Sequence, residues 1–327
     1  MFRFQFMALS VALAVAAPGF AQQPSTQPPA PQAAVINQPS SITEQLRRTV
    51  GFLRVVYADE NRQLQQIAGT AFFVYYPDDR LGKDRGFSYL VTNRHMAAPG
   101  AEKGLRYQVL EMSLRVNRLD TSTSAEELIP LGPAMSWSYP NDEAIDLAVL
   151  PLGFNPKMMD IVPINLDIFA TPERIQSAKV TTGDQVVFAG YFYQFPGAKR
   201  IQPIVREGVL AMMPDEEIKT TLQKPGALYL ADVHAFHGNS GSPLLVSIGG
   251  LRSGVLSSAG YLLLGVISGY YPEGQSFSIP TATVLTGEVH DNSGITTVVP
   301  AYQLKTLLDS QPLQAARDAE VARHKKP

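Results

Sequence analysis

The stretch "HGNSGSPLL", from His237 to Leu245, places a serine between two glycines just ahead of an apolar run. Glycine lets a backbone turn tightly and lets another molecule come close, so this turn can present Ser240 outward as a nucleophile. Gly, Asn, Ser and Pro also build ordinary loops, and the motif by itself does not choose between the two. Acyl transfer by a serine needs a base to take the hydroxyl proton and an acidic group to orient that base. Five histidines are available: His95, His234, His237, His290 and His324. His95 closes "SYLVTNRH", where the end of a strand gives an imidazole a rigid seat; a surface or core histidine is the plainer alternative. Asp146 sits in "AIDLAVLPL". A carboxylate ahead of a buried strand is costly unless it is hydrogen-bonded. A histidine N–H is a suitable partner, and capping the strand is an equally good use. Asp142 and Glu143, in the polar turn "PNDEA", read as solvated.

These residues need elements to hold them. Short β-branched and aromatic runs begin with "GFLRVVYA" (51–58), "GTAFFVYY" (69–76), "FSYLVTN" (87–93), "YQVLEMSLRV" (107–116) and "DLAVLPL" (146–152). After "IVPINLD" (161–167) come "DQVVFAGYFY" (184–193), "PIVREGVLAMM" (203–213), "ALYLADV" (227–233) and "SPLLVSI" (242–248). "YLLLGVISGYY" (261–271) and "FSIPTATVL" (277–285) complete the set. Short strands separated by Gly, Pro and Asp mark an all-β sandwich or barrel. They fall into two groups of about six, divided near residues 153–180. "ITEQLRRTV" reads as a short helix. "PAYQLKTLLDS" reads as an amphipathic helix with Pro300 at its first position. Residues 311–327 read as a polar tail or a frayed helix.

Composition narrows the chemistry. The 327 residues carry a formal charge of -2, with 17% charged and 45% hydrophobic residues. This is a globular balance with no basic excess directed at nucleic acid. Cysteine is absent, which excludes a thiolate nucleophile, a thiolate metal site and a disulfide framework. His234 and His237 lie three residues apart without a third convincing ligand, so neither a metal nor another cofactor is expected. At the N-terminus, Arg3 precedes an apolar run from Phe6 to Ala17, and "GFA" comes just before Gln22. Residues 1–21 therefore read as a secretory signal cut after Ala21. The run is shorter than the ~20 residues of a membrane span, so no stable membrane insertion is expected after cleavage. An uncleaved anchor is the alternative. Residues 22–41, rich in Pro and Gln and uncharged, read as a linker.

The chain order His95, Asp146, Ser240, at spacings of 51 and 94 residues, is the triad order of the two-barrel proteases. In "LVTNRHMA", "DLAVLPL" and "HGNSGSPLL" the sequence resembles the trypsin/chymotrypsin-fold serine proteases, and most closely the bacterial HtrA (Deg) type. "GTAFFV", "GDQVVFAGYF" and "VVPAYQLKTLL" resemble further segments of that family, so the similarity runs from about residue 45 to 310. The resemblance implies two antiparallel six-stranded β-barrels with a short C-terminal helix, a protease domain over 42–310, and export to the periplasm or outside the cell. It implies a serine endopeptidase acting on protein or peptide substrates through His95, Asp146 and Ser240. The amides of Gly238 and Ser240 would form the oxyanion hole. Ser268, Gly269 and Tyr270 would pair with the substrate strand, and Ser268 would also bond Asp146 from behind. His234 falls at the base of the specificity pocket and His237 near its mouth, a pair that could favour an acidic residue before the cut. A catalytically inactive, peptide-binding member of the fold is the alternative. Two departures stand out. Ser242 replaces the family's second glycine after the serine. Asn239 stands where pancreatic-type enzymes carry the aspartate that receives a new N-terminus, so that route of activation is not expected. The 17 residues after 310 are too few for the PDZ domain that usually follows.

Overall fold

The structure is a computed structural model that describes residues 41–119, 125–132, 135–252, 255–257, 260–279 and 285–324. The expected signal segment and, apart from Ser41, the linker lie outside the described residues. Helix α1 (Ile42–Thr49) opens the chain, its first turn capped by the Ser41 hydroxyl, which accepts from the Glu44 amide at 3.3 Å. The first sheet holds β1 (Val50–Ala58), β2 (Leu64–Pro77), β3 (Gly86–Thr92), β4 (Gln108–Asn117), β5 (Glu126–Pro130) and β6 (Ala148–Pro151). A two-residue β7 (Ile164–Asn165) adds to it in parallel against β2. Helix α2 (Arg94–Ala97) follows β3 directly. The spatial order is β5-β4-β1-β2-β3-β6, and among the described residues that path ends at β5 and β6.

Helix α3 (Pro172–Ala178) lies in the crossing to the second sheet. That sheet contains β8 (Gln185–Gly190) and β9 (Ile204–Met212), and after a small hairpin of β10 (Glu217–Lys219) and β11 (Pro225–Ala227) it continues with β12 (Tyr229–Asp232) and β13 (Pro243–Ser247). A second small hairpin, β14 (Gly250–Arg252) with β15 (Val255–Ser257), precedes the long strands β16 (Tyr261–Ile279) and β17 (Leu285–Pro300). The second sheet closes as a six-stranded barrel in the order β12-β17-β16-β13-β8-β9. This is the all-β fold expected from the sequence. Of the two six-stranded barrels expected, the second is a closed barrel and the first runs as a path from β5 to β6 among the described residues. One strand differs. Residues 277–285 were expected as a single strand, but Phe277 to Ile279 end β16, Leu285 begins β17, and the two strands pair from Pro272↔Asn292 to Ile279↔Leu285.

The apolar runs are continuous because both faces of the central strands are covered. On β2, Phe72 and Val74 point into a core shared with β16 and β17, while Ala71 and Phe73 point into the core of the first sheet with Leu53, Leu90 and Leu114. On β8, Val186 and Phe188 fill the barrel, and Val187 and Ala189 meet Leu46 of α1. The site described below therefore lies between two sheets that share one core.

The charged, Ala-rich stretch after residue 310, read from the sequence as a polar tail or a frayed helix, is helical over Gln311–His324. Helices α4 (Ala301–Leu308) and α5 (Gln311–His324) follow β17, and α5 buries Leu313, Arg317 and Val321, one residue per turn. Arg317 is 4% exposed; its Nη1 donates to Tyr89 Oη at 2.9 Å and to the Leu308 carbonyl at 2.8 Å. Its guanidinium stands 4.0 Å from the Tyr76 ring centroid. Arg317 makes the stripe unreadable as apolar, which is why the tail reads as polar. Removing this donor leaves two buried acceptors. Arg317→Met should lower stability by about 1–3 kcal/mol, read as a lower urea midpoint. Asp318→Ala, which breaks only the exposed pair with Arg80, should cost less than about 1 kcal/mol. Equal midpoints for the two variants would contradict this account.

Candidate active site

His95 lies in the short turn of α2 where the chain leaves β3, so its backbone is set by the first sheet. Asn93 at the turn is fully buried and donates its Nδ2 to the Asp146 carbonyl at 2.8 Å. Asp146 is 1% exposed and accepts twice from one residue. The His95 amide reaches Oδ1 at 3.0 Å, and Nδ1 reaches Oδ2 at 2.7 Å. Two bonds from one partner fix both the position and the rotation of the ring. Burial pushes the His95 imidazole down, but the charge and hydrogen bond of Asp146 outweigh it, and its pKa lies above the ordinary histidine value. Asp142 and Glu143 are engaged elsewhere: Asp142 accepts from the Ala144 amide at 2.8 Å, and Glu143 pairs with Lys224.

Ser240 comes from the second sheet, in the turn before β13. Its hydroxyl donates to the Ser268 carbonyl at 3.3 Å. His95 and Ser240 both line a cavity of about 590 Å³ that also includes Gly238 and His237. They also line a second cavity, of about 340 Å³, with Phe236, Ile267, Gly269 and Pro272. The glycines of the turn are required by geometry. Gly238 has φ +96°, and a Cβ there would lie 2.4 Å from the Tyr191 ring. Gly241 has φ +87°, and its Cβ would lie 2.0 Å from the Thr70 carbonyl oxygen. Within the turn the amides of Asn239, Gly241 and Ser242 are bonded to the carbonyls of Phe236, Ile267 and Asn239. Among the described residues, those of Gly238 and Ser240 carry no protein acceptor. Asn239 is 1% exposed; it donates Nδ2 to the Tyr191 carbonyl at 2.7 Å and accepts from the Phe236 amide at 2.8 Å. Asn239 thus ties the turn to the Tyr191 carbonyl without a charge.

No family model matches the chain, and no curated protein does. Similar solved structures include the HtrA-type protease AlgW with a tripeptide, 14% identical over 84% of this chain, with a TM-score of 0.45. The same protease with a decapeptide is 14% identical over 81% of this chain, with a TM-score of 0.44. Deg5 is 17% identical over 69% of this chain and 81% of its own, with a TM-score of 0.41. This chain spans 63% of the AlgW chain in the first of these and 65% in the second.

Two expected placements differ. His234 is exposed and lines neither cavity; its ring occupies the space above Gly294, where a Cβ would lie 3.0 Å from it. Ser268 does not reach Asp146. Its hydroxyl bonds Thr297 Oγ1 at 3.0 Å, inside the β16–β17 pair. His237 accompanies Ser240 in both cavities, and Ser268, Gly269 and Tyr270 line the smaller one. His237 Nε2 lies 3.2 Å from Tyr270 Oη across that cavity's edge. Ser242 is fully buried and fits because residue 190 is glycine; a Cβ there would stand 2.2 Å from the Ser242 hydroxyl.

Thr70 was not legible as a site residue, although it lies in "GTAFFV". It is fully buried on β2, in the other sheet from Ser240. Its amide donates to the Ser240 carbonyl at 2.9 Å. Its hydroxyl donates to the Gly238 carbonyl at 2.8 Å and accepts from the Tyr191 amide at 2.9 Å. The Gly238–Asn239 peptide is then fixed at both ends, by Thr70 at its oxygen and by Phe236 at its N–H. That peptide lies between the two open amides. Thr70→Val should slow acylation of Ser240 by an activated ester about 10- to 100-fold, with KM little changed, because it loosens donors that matter most at the transition state. Thr70→Ser should restore most of the rate. A valine variant as fast as the parent would show that the hydroxyl does not order the turn.

Proposed function

We propose that the chain is a serine endopeptidase. The observation that carries this reading is that His95, held by the buried Asp146, lines the same two cavities as Ser240. With Nδ1–H held by Asp146, neutral His95 keeps Nε2 as the acceptor. Ser240 Oγ turns from the Ser268 carbonyl toward Nε2, gives up its proton and attacks the peptide carbonyl. The negative charge that builds on the carbonyl oxygen meets the amides of Gly238 and Ser240. Each such donor is typically worth about 10²–10³ in rate. His95 then protonates the leaving amine, and water releases the acyl group by the same steps in reverse.

A substrate segment adds antiparallel to Ser268, Gly269 and Tyr270 on β16, as an extra strand. Its residue before the cut enters the 340 Å³ cavity, whose walls include Ala235, Phe236, Ile267 and Pro272. With His234 outside this cavity, an apolar residue suits it better than an acidic one. Among the described residues no helix is long and apolar enough to cross a membrane. Export to the periplasm or beyond the cell is part of the proposal and rests on residues 1–21. The second reading, a peptide-binding protein without activity, is favoured by the rest position of the Ser240 hydroxyl on Ser268.

The pH dependence separates the two. The base must be neutral, so kcat/KM on a peptide ester should fall with a slope near one proton as pH drops through the His95 pKa, above about 6.5. Asp146→Asn should cut the rate by up to about 10⁴ and move the residual midpoint to lower pH. The sign for stability is opposite. A raised histidine pKa contributes stability that is complete below about pH 6.5 and is lost as pH rises through the folded value. A rate that stays flat from about pH 5 to 8 with acylation rate-limiting would remove the histidine base.

A further inference from the structure

Helix α2 faces two ways. His95 and Met96 line the Ser240 cavity, and Arg94 and Ala97 line a separate cavity of about 630 Å³. Three cationic side chains, Arg94, Arg106 and Lys224, and one carboxylate, Glu143, border this second cavity. Glu143 is bonded to Lys224. Arg94 is part-buried. It donates Nη2 to the Pro140 carbonyl and stands 5.3 Å from the Tyr139 ring centroid, and its Nε is buried without an acceptor. Arg106 is exposed, and no carboxylate bonds it among the described residues. Of the other nearby acids, Asp146 bonds His95, Asp142 accepts from the Ala144 amide and Glu60 from Tyr107 Oη at 2.7 Å, while Glu102 lines the Ser240 cavity rather than this one. Burial lowers the Arg94 pKa while Asp146 and Glu143 raise it, so this guanidinium is partly stripped of water without a bonded counter-ion.

The cavity adjoins the proposed substrate path at two places. Pro99 borders both it and the Ser240 cavity. Leu222 and Lys224 border it, while Thr221, one residue earlier, borders the apolar cavity beside Ser268 to Tyr270. A strand added antiparallel to β16 has its scissile residue next to Ser268, whose carbonyl lies 3.3 Å from Ser240 Oγ. Its N-terminal residues run toward Tyr270. Side chains of an extended strand alternate in direction. When the residue before the cut (P1) enters the apolar cavity, the even-numbered positions P2 and P4 face the α2 side.

We propose that this cavity selects a carboxylate side chain at P2 or P4 of the substrate. The enzyme's substrate class is then extended segments with an acidic residue two or four positions before the cut and an apolar residue immediately before it. Arg94 supplies a part-buried guanidinium and Arg106 an exposed one. Charge-assisted bonds from guanidinium to carboxylate are among the stronger polar contacts. This rests on the peptidase reading of the neighbouring site, so the test keeps the two apart.

Two fluorescent peptides that differ only by Glu against Gln at P2, and a second pair at P4, are compared on Ser240→Ala protein by anisotropy and on the parent enzyme by cleavage. At one of the positions the Glu peptide should bind about tenfold more tightly, and be cleaved with a correspondingly higher kcat/KM, than its Gln partner. That ratio should shrink as salt is raised past about 0.15 M. In Arg106→Gln the ratio should fall several-fold, and in Arg106→Glu it should vanish or invert, with melting curves confirming folded protein. Glu and Gln peptides bound within twofold of each other at both positions would overturn the proposal. So would a ratio that survives Arg106→Glu. If no peptide is cut but the Glu preference in binding holds, the acidic site stands and the peptidase reading falls.

Discussion

The hydroxyl of Thr70 joins the two sheets at the point where Ser240 emerges. It bonds the Gly238 carbonyl and the Tyr191 amide, and the Thr70 backbone bonds the Ser240 carbonyl. Each bond contributes only about 1 kcal/mol net. Their effect is geometric. Ser240 belongs to the second sheet and His95 to the first, so their separation depends on how the sheets are fastened. Gly241, whose Cβ position is filled by the Thr70 carbonyl, lets the strands approach closely enough for that fastening. The buried core shared by β2, β3, β6, β16 and β17 holds the same contact from below.

Around this seam the electrostatics follow from burial. Asp146 is almost fully removed from water, so its charge requires partners. The backbone and ring of His95 supply two bonds, and the histidine is held in one orientation as a result. The same pairing that raises the affinity of His95 for a proton makes it a stronger base. Stability from this pair and the reactivity proposed for Ser240 therefore respond to pH in opposite directions. Asn239 completes the arrangement without a charge, because its side chain bonds backbone groups on both sides of the turn.

Much of this was legible in the sequence wherever one residue type and one local pattern sufficed. The strands before His95 and after Asp146 show as continuous apolar runs, and the Ser240 turn shows as a serine between two glycines. The order of the three residues came from the chain itself. Other features depend on partners distant in sequence. Strand β5 begins with Glu126 and Glu127 and was not picked out in the sequence; Arg115 on β4 and Arg118 just beyond it pair with these carboxylates. Ser268 bonds Thr297 across the β16–β17 pair rather than Asp146, and no local pattern states that register. His234 was misplaced because the space it fills is left by Gly294, 60 residues away. Helix α5 hides its buried stripe behind one arginine. Thr70 gave no signal, since a threonine in a strand is ordinary until its acceptors are known.

The central claim is that Ser240 is a nucleophile activated by His95. Reaction with a fluorophosphonate, followed by peptide mapping in a mass spectrometer, tests it most directly. The account predicts a single adduct on Ser240, absent from Ser240→Ala and much slower to form in His95→Ala. Folded wild-type protein that acquires no adduct, or acquires it on another residue, would contradict the claim.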